Sequence, residues 1–118
     1  MQQPLQITFR GLAPSVFIAA RVRELAARLE RFAHDITSCH VTIQSPHRHH
    51  RQGQLYEVRV RVAAPGREIV SGSDGSGDHA HEDVYVALRD AFDAAVRELE
   101  ERAPRRARRW RPREVRAS

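Results

Sequence analysis

The segment from Tyr56 to Val62 alternates between apolar and charged side chains, and no other feature constrains the fold of this chain as tightly. Successive side chains of a β-strand point to opposite faces of the sheet, so this strand has one apolar and one charged face. The apolar positions are Tyr56, Val58, Val60 and Val62, and the charged ones are Glu57, Arg59 and Arg61. The chain must therefore supply partner strands and a layer that covers the apolar face.

Three further segments, residues 5–10, 36–45 and 68–71, also have the pattern of strands. Pro65 and Gly66 form a turn signal that separates the last of them from the preceding strand. The apolar positions are Leu5, Ile7 and Phe9 in the first segment and Cys39, Val41 and Ile43 in the second.

Two segments repeat apolar residues at helical spacing. Residues 15–33 form the first, with Ser15 in position to cap its N-terminus, and residues 81–102 form the second, which Pro104 ends. Each apolar stripe predicts a helix that packs one side onto the core. The first stripe is Ile18, Val22, Leu25, Leu29 and Phe32; the second is Val84, Leu88, Ala91, Phe92, Ala95 and Leu99, flanked by Tyr85 and Val96.

The order of elements is therefore β-α-β-β-β-α, which predicts an α+β fold in a single domain. Four strands form one sheet, and the two helices pack on one of its faces. The helical crossover after the first strand favours parallel pairing of that strand with a neighbour. Arg10, Arg59 and Arg61 alternate outward on the uncovered face, where we interpret them as ordinary solvent-exposed residues.

The basic excess of the chain lies at its C-terminal end. All basic residues are arginine; residues 1–102 hold 13 of them against 14 acidic residues, whereas residues 103–118 hold 7 against one, Glu114. We therefore predict a folded domain over residues 1–103 and a disordered, arginine-rich tail over residues 104–118. Residues 71–78, rich in Gly, Ser and Asp, are typical of a flexible linker.

The composition favours a soluble protein that works in the cytoplasm. The chain has no apolar run long enough to cross a membrane and no signal-peptide pattern at its start. The single cysteine, Cys39, cannot form an internal disulfide, and its place on an apolar strand face indicates a buried, inert thiol. No glycine-rich phosphate loop, Ser–His–acid arrangement or pair of catalytic carboxylates is recognisable in the sequence. We therefore expect no enzymatic reaction, no small-molecule substrate and no cofactor.

The order and residues of these elements resemble the hibernation-promoting factor and ribosome-associated inhibitor family, also called sigma-54 modulation proteins. Residues 81–93 resemble the family's run of an acidic residue, Asp, an apolar residue and Tyr at the start of a long helix. Residues 25–32 resemble its first-helix ending of a basic residue, Leu, a charged residue and an aromatic. Residues 56–70 resemble its strand pair. The resemblance covers residues 5–102 and is to the family's short form, without a C-terminal dimerising domain.

The resemblance implies a ribosome hibernation factor that binds ribosomal RNA of the small subunit. Such a protein occupies the channel of messenger and transfer RNA and inhibits translation, as part of a stress response. The family's basic positions on the first helix correspond to Arg21, Arg28 and Arg31, which a helical wheel places on one flank with Glu24 among them. Arg97 and Arg102 are the candidates on the second helix.

The end of the second helix departs from the family's basic pattern. Acidic residues stand there, and pairing at i,i+4 spacing is expected. The four pairs are Arg89–Asp93, Asp93–Arg97, Arg97–Glu101 and Glu98–Arg102. The arginine density moves into the tail, where the sequence predicts phosphate contacts and base stacking. The tail residues assigned to RNA are Arg105, Arg106, Arg108, Arg109 and Trp110.

The loop after the second strand is rich in histidine and arginine, and its role has three interpretations. It contacts RNA, it is a plain exposed loop, or its imidazoles bind a metal together with His79 and His81. The residues concerned are His47, Arg48, His49, His50 and Arg51. A further hypothesis for the whole chain is a general double-stranded RNA-binding module, because the α-β-β-β-α portion resembles that module in order.

Overall fold

The computed structural model describes residues 1–45, 56–73 and 83–101, and within them the predicted architecture is confirmed. The elements are β1 (Gln6–Arg10), α1 (Val16–Phe32), β2 (Ser38–Gln44), β3 (Glu57–Ala64), β4 (Arg67–Ser73) and α2 (Val84–Glu101). The sheet order is β1-β2-β3-β4. β1 pairs with β2 in parallel, as the crossover favoured, and the other two pairings are antiparallel.

Polar side chains determine where both helices begin. The Ser15 hydroxyl accepts a hydrogen bond from the Ile18 amide at 3.2 Å, which confirms the predicted N-cap. The Asp83 carboxylate accepts one from the Tyr85 amide at 2.9 Å, and α2 begins at Val84. The predicted start at residue 81 was therefore too early, because Asp83 caps the helix instead of joining it.

Both helices cover the same face of the sheet, and their apolar stripes meet the inward side chains of the strands. Val22, Leu88, Val41 and Val60 have no exposed surface, and they belong to one continuous core cluster. Burial of this apolar area is the main favourable contribution to the folding free energy.

Two aromatic residues that the helical stripes assigned to the core lie partly outside it. Phe32 is 47% exposed and Tyr85 is 43% exposed, whereas Phe92 is buried as predicted. Phe32 is the last residue of α1 and Tyr85 lies in the first turn of α2, so both stand at helix ends.

β4 is longer than predicted, and the linker prediction for residues 71–78 is partly wrong. The strand continues to Ser73, with Ser71 opposite Val60 and Gly72 opposite Arg59. Composition favoured a linker, but the backbone of residues 71–73 pairs with β3, and this long-range pairing outweighs the local preference. Residues 74–82 lie outside the described ranges. Neither described helix is long and apolar enough to span a bilayer.

Candidate nucleic-acid interface

The outward flank of α1 carries the three arginines that the sequence assigned to RNA. Arg21 is paired with Glu24 at 2.8 Å, as their positions on the wheel suggested. Arg28 and Arg31 are exposed and form no ion pair with any described residue. The structure therefore brings Arg21, Arg28 and Arg31 together on one side of one helix. Two of the three guanidinium groups, those of Arg28 and Arg31, have no ion-pair partner among the described residues.

The core positions of α1 explain why these arginines face outward. Val22, Leu25 and Leu29 are buried against the sheet and fix the rotation of the helix about its axis. At 100° per residue, positions 21, 28 and 31 then fall on a flank roughly 80–160° away from the centre of the buried stripe. The helix can keep its apolar contacts while these side chains meet a polyanion.

Phe17 belongs to the same flank, and the sequence reasoning missed it. Its side chain is 75% exposed, and it lies within about 40° of each of the three arginines around the helix axis. A large exposed apolar side chain among charged ones is informative because folding would normally bury it. The helical wheel could have identified it, since Phe17 precedes Arg21 by four residues and falls outside the apolar stripe. We name Phe17, Arg21, Arg28 and Arg31 the arginine stripe.

The surface of α2 has the opposite charge. The helix contains five acidic residues and two arginines, Arg89 and Arg97. The expected i,i+4 pairs of these arginines with Asp93 and Glu101 are not formed within the described part of α2; Arg89 contacts Asp90 at 3.5 Å instead. An exposed ion pair gains little free energy, and holding two long side chains in one geometry costs conformational entropy. The arginine side chains of α2 therefore remain hydrated. Arg97 is exposed but stands among carboxylates, which makes α2 the weaker surface for RNA.

Many of the predicted contact residues lie outside the described ranges, and their assignment stays a prediction. They are His47, Arg48, His49, His50, Arg51, Arg102, Arg105, Arg106, Arg108, Arg109 and Trp110. The metal hypothesis also depends on undescribed histidines, including His79 and His81. Over residues 1–45, 56–73 and 83–101, no three His, Cys, Asp or Glu side chains are grouped as metal ligands.

Cys39 is a core residue, as predicted. It is 2% exposed on the apolar face of β2. Burial raises the pKa of the thiol to about 11, and the negative charge of Glu30 adds to this increase. A thiol with so high a pKa is almost entirely protonated near neutrality, which makes it a poor nucleophile.

Comparisons with known proteins agree with this fold. The sequence matches the family described as "Sigma 54 modulation protein / S30EA ribosomal protein" over residues 5–107. No curated protein matches it. A ribosomal subunit interface protein from Coxiella burnetii has a similar structure, with a TM-score of 0.64 and 15% identity over 82% of this chain and 93% of that chain. The Protein Y N-terminal domain from Thermus thermophilus has a TM-score of 0.61 and 18% identity, over 86% and 98% of the two chains.

The two structural likenesses concern the fold, since both identities are below 20%. The family match is the stronger finding, because it spans all four strands and both helices. The family is ribosome-associated and non-enzymatic, in agreement with the expectation from the sequence. The chain belongs to the sigma-54 modulation protein / S30EA ribosomal protein family.

Proposed function

We propose that this protein is a ribosome hibernation factor that binds ribosomal RNA of the small subunit. It occupies the channel of messenger and transfer RNA and thereby inhibits translation in the cytoplasm. The observation that carries the proposal is the arginine stripe of α1, in which Arg28 and Arg31 have no ion-pair partner among the described residues and Phe17 is exposed beside them.

The stripe suits a phosphate backbone for electrostatic reasons. Each guanidinium that replaces a condensed counterion on RNA contributes binding free energy through counterion release. Arginine also donates two parallel hydrogen bonds to one phosphate, which adds orientation to attraction. Arg28 and Arg31 can make such contacts without breaking an ion pair, whereas Arg21 must share its guanidinium with Glu24.

Such a protein inhibits translation without catalysing a reaction. A rigid domain held in the channel excludes messenger and transfer RNA by occupying their volume. The tail, with its seven arginines and Trp110, adds affinity for polyanions and base stacking without being required for selectivity. The folded domain is therefore expected to provide selectivity for the small subunit, and the tail is expected to increase the affinity.

Co-sedimentation with separated ribosomal subunits across a salt series tests this proposal. The double variant Arg28→Gln, Arg31→Gln is expected to lower the salt slope of small-subunit binding by about 1.4 to 1.8, at 0.7 to 0.9 for each phosphate contact. The single variants Arg28→Gln and Arg89→Gln form the matched comparison, because each removes one charge and Arg89 contacts Asp90 on α2. A chain of residues 1–103 separates the contribution of the tail.

Selective small-subunit binding by residues 1–103, together with inhibition of translation in vitro by the full chain, would support the proposal. If Arg89→Gln weakened binding as much as an arginine-stripe variant, net charge alone would explain the affinity. Equal affinity for ribosomes and for a plain RNA duplex would favour a general double-stranded RNA-binding module instead. Translation that continues unchanged at several-fold excess of protein would reject the inhibitory role.

A further inference from the structure

The open face of the sheet, opposite the helices, has side chains arranged in rows across the strands. The pairing registers place short side chains along the middle row, with one arginine among them. The middle row is Thr8, Thr42, Arg59 and Gly72; one flanking row is Gln6, His40, Arg61 and Val70, and the other is Arg10, Gln44 and Glu57. Thr42 is short and stands between longer residues of both flanking rows, so a depression lies over β2 and β3 with the Arg59 side chain beside it. We name it the cross-strand groove.

The groove is polar and rich in hydrogen-bond donors. It contains a concavity of about 320 Å³ whose polar lining is Arg10, His40, Thr42, Gln44, Glu57, Arg59 and Arg61. Arg10 and Arg59 form no ion pair with any residue in the described ranges. Arg61 lies 3.8 Å from Glu68, a long contact between two exposed side chains that contributes little.

Two side-chain hydrogen bonds order residues at the groove. His40 Nε2 and Thr8 Oγ1 are hydrogen-bonded at 2.8 Å, which connects β1 to β2 on this face. Glu57, an acidic residue at the rim, accepts a hydrogen bond from Gln44 at 3.3 Å. Gly72, which pairs with Arg59, ends the middle row without a side chain.

We propose that the cross-strand groove binds the phosphate backbone of a single-stranded RNA segment, as a second RNA site opposite the arginine stripe. The residues that line the groove come from β1, β2 and β3, two inter-strand spacings or about 10 Å, so it suits successive phosphates of a chain better than one isolated anion. Guanidinium groups bind phosphate oxygens, while Thr42 and Gln44 offer partners for ribose 2′-hydroxyls.

The two sites lie on opposite sides of the sheet, because α1 packs on the face away from the groove. One RNA segment cannot lie on both at the same time without wrapping around the domain. The protein therefore joins two RNA segments and holds them on either side of its sheet. This inference extends the proposed function, since RNA is the partner on both faces, but it depends on different residues.

The test uses the full chain and an oligouridine RNA of about ten nucleotides, within the size range of single-strand sites. Binding is measured by fluorescence anisotropy across a salt series, and amide chemical shifts locate the contact. Arg59→Gln is expected to weaken binding roughly tenfold and to lower the salt slope by about 0.7. Thr42→Met, which fills the groove without changing charge, should weaken binding with an unchanged slope. Thermal unfolding checks that both variants fold.

Arg28→Gln and Arg89→Gln, measured in parallel, separate this inference from the proposed function. Loss of affinity in both groove variants, with amide shifts at Thr42 and Gly72, supports the groove. Wild-type affinity in both groove variants would overturn it, and a loss in Arg28→Gln alone would leave the proposed function standing. If inorganic phosphate caused the same amide shifts and displaced the RNA at equal phosphate concentration, the groove would be a site for free anions and the RNA assignment would fail.

Discussion

Gly72 is the position in the sheet where a single methyl group should do most damage. It lies in β4 directly opposite Arg59 of β3. A Cβ atom at residue 72 would stand 2.0 Å from the Val58 carbonyl oxygen and 2.9 Å from the Arg59 Cα. Both of these atoms belong to the backbone of β3, so no side chain can rotate away to relieve the contact.

The expected cost of Gly72→Ala follows from this geometry. Carbon and oxygen atoms in strands normally approach to about 3.3 Å, so the strands would have to separate by more than 1 Å. Hydrogen bonds near 2.9 Å do not survive that separation. Losing about two of them at the end of β4, with their groups left partly buried, costs about 2–4 kcal/mol of unfolding free energy. That is a large share of the stability of a small domain.

Urea unfolding followed by circular dichroism measures this cost, and Gly66→Ala is the matched control. Gly66 has a φ of 79° in the turn between β3 and β4, but nothing lies within 4 Å of a Cβ placed there. Alanine at residue 66 should therefore cost only about 1–2 kcal/mol from left-handed backbone strain. If Gly72→Ala proved as stable as Gly66→Ala, the argument from close strand approach would be refuted.

Two further predictions concern Phe17 and Cys39. Phe17→Ala should weaken ribosome binding about 5- to 100-fold through lost base stacking, while the salt slope and the unfolding free energy stay unchanged. Val16 is a neighbour that is also exposed, and an equal loss of affinity in Val16→Ala would argue against stacking. The pKa of Cys39 is about 11 in the folded protein against 9.0 for a free thiol, so the unfolded chain loses its proton first as pH rises. The free energy of unfolding should therefore fall by roughly 2–3 kcal/mol more in wild type than in Cys39→Ala between pH 9 and 11. Urea unfolding of both proteins across that pH range tests this, and an equal fall in the two would contradict it.

The type and order of the elements could be predicted from local sequence. Alternation at residues 56–62, the helical spacing of Val22, Leu25 and Leu29, and the capping position of Ser15 each act over a few residues. Local patterns of this kind state which side of an element is apolar, and the hydrophobic effect then requires those sides to meet. The outward flank of α1 follows from the same reasoning, which is why the arginine stripe was largely visible in the sequence.

The ends of the elements and the exposure of their aromatic residues were harder to predict. Phe32 and Tyr85 both fit the apolar stripes, but packing against distant segments leaves them partly exposed. Residues 71–73 have the composition of a linker, yet they continue β4 because β3 offers them a partner. In each case a contact with a distant segment overrode a local preference.

The amino-acid sequence by itself determined the α+β class, the element order, the buried faces and the basic flank of α1, because each depends on the spacing of neighbouring residues. Only the tertiary structure decided which residues of different strands stand side by side. The cross-strand groove exists because Arg10, Thr42 and Arg59 come together on the open face, and their relative places depend on two pairing registers. A register is a relation between segments far apart in the chain, set by the packing of the whole sheet against its helices, so no local pattern contains it.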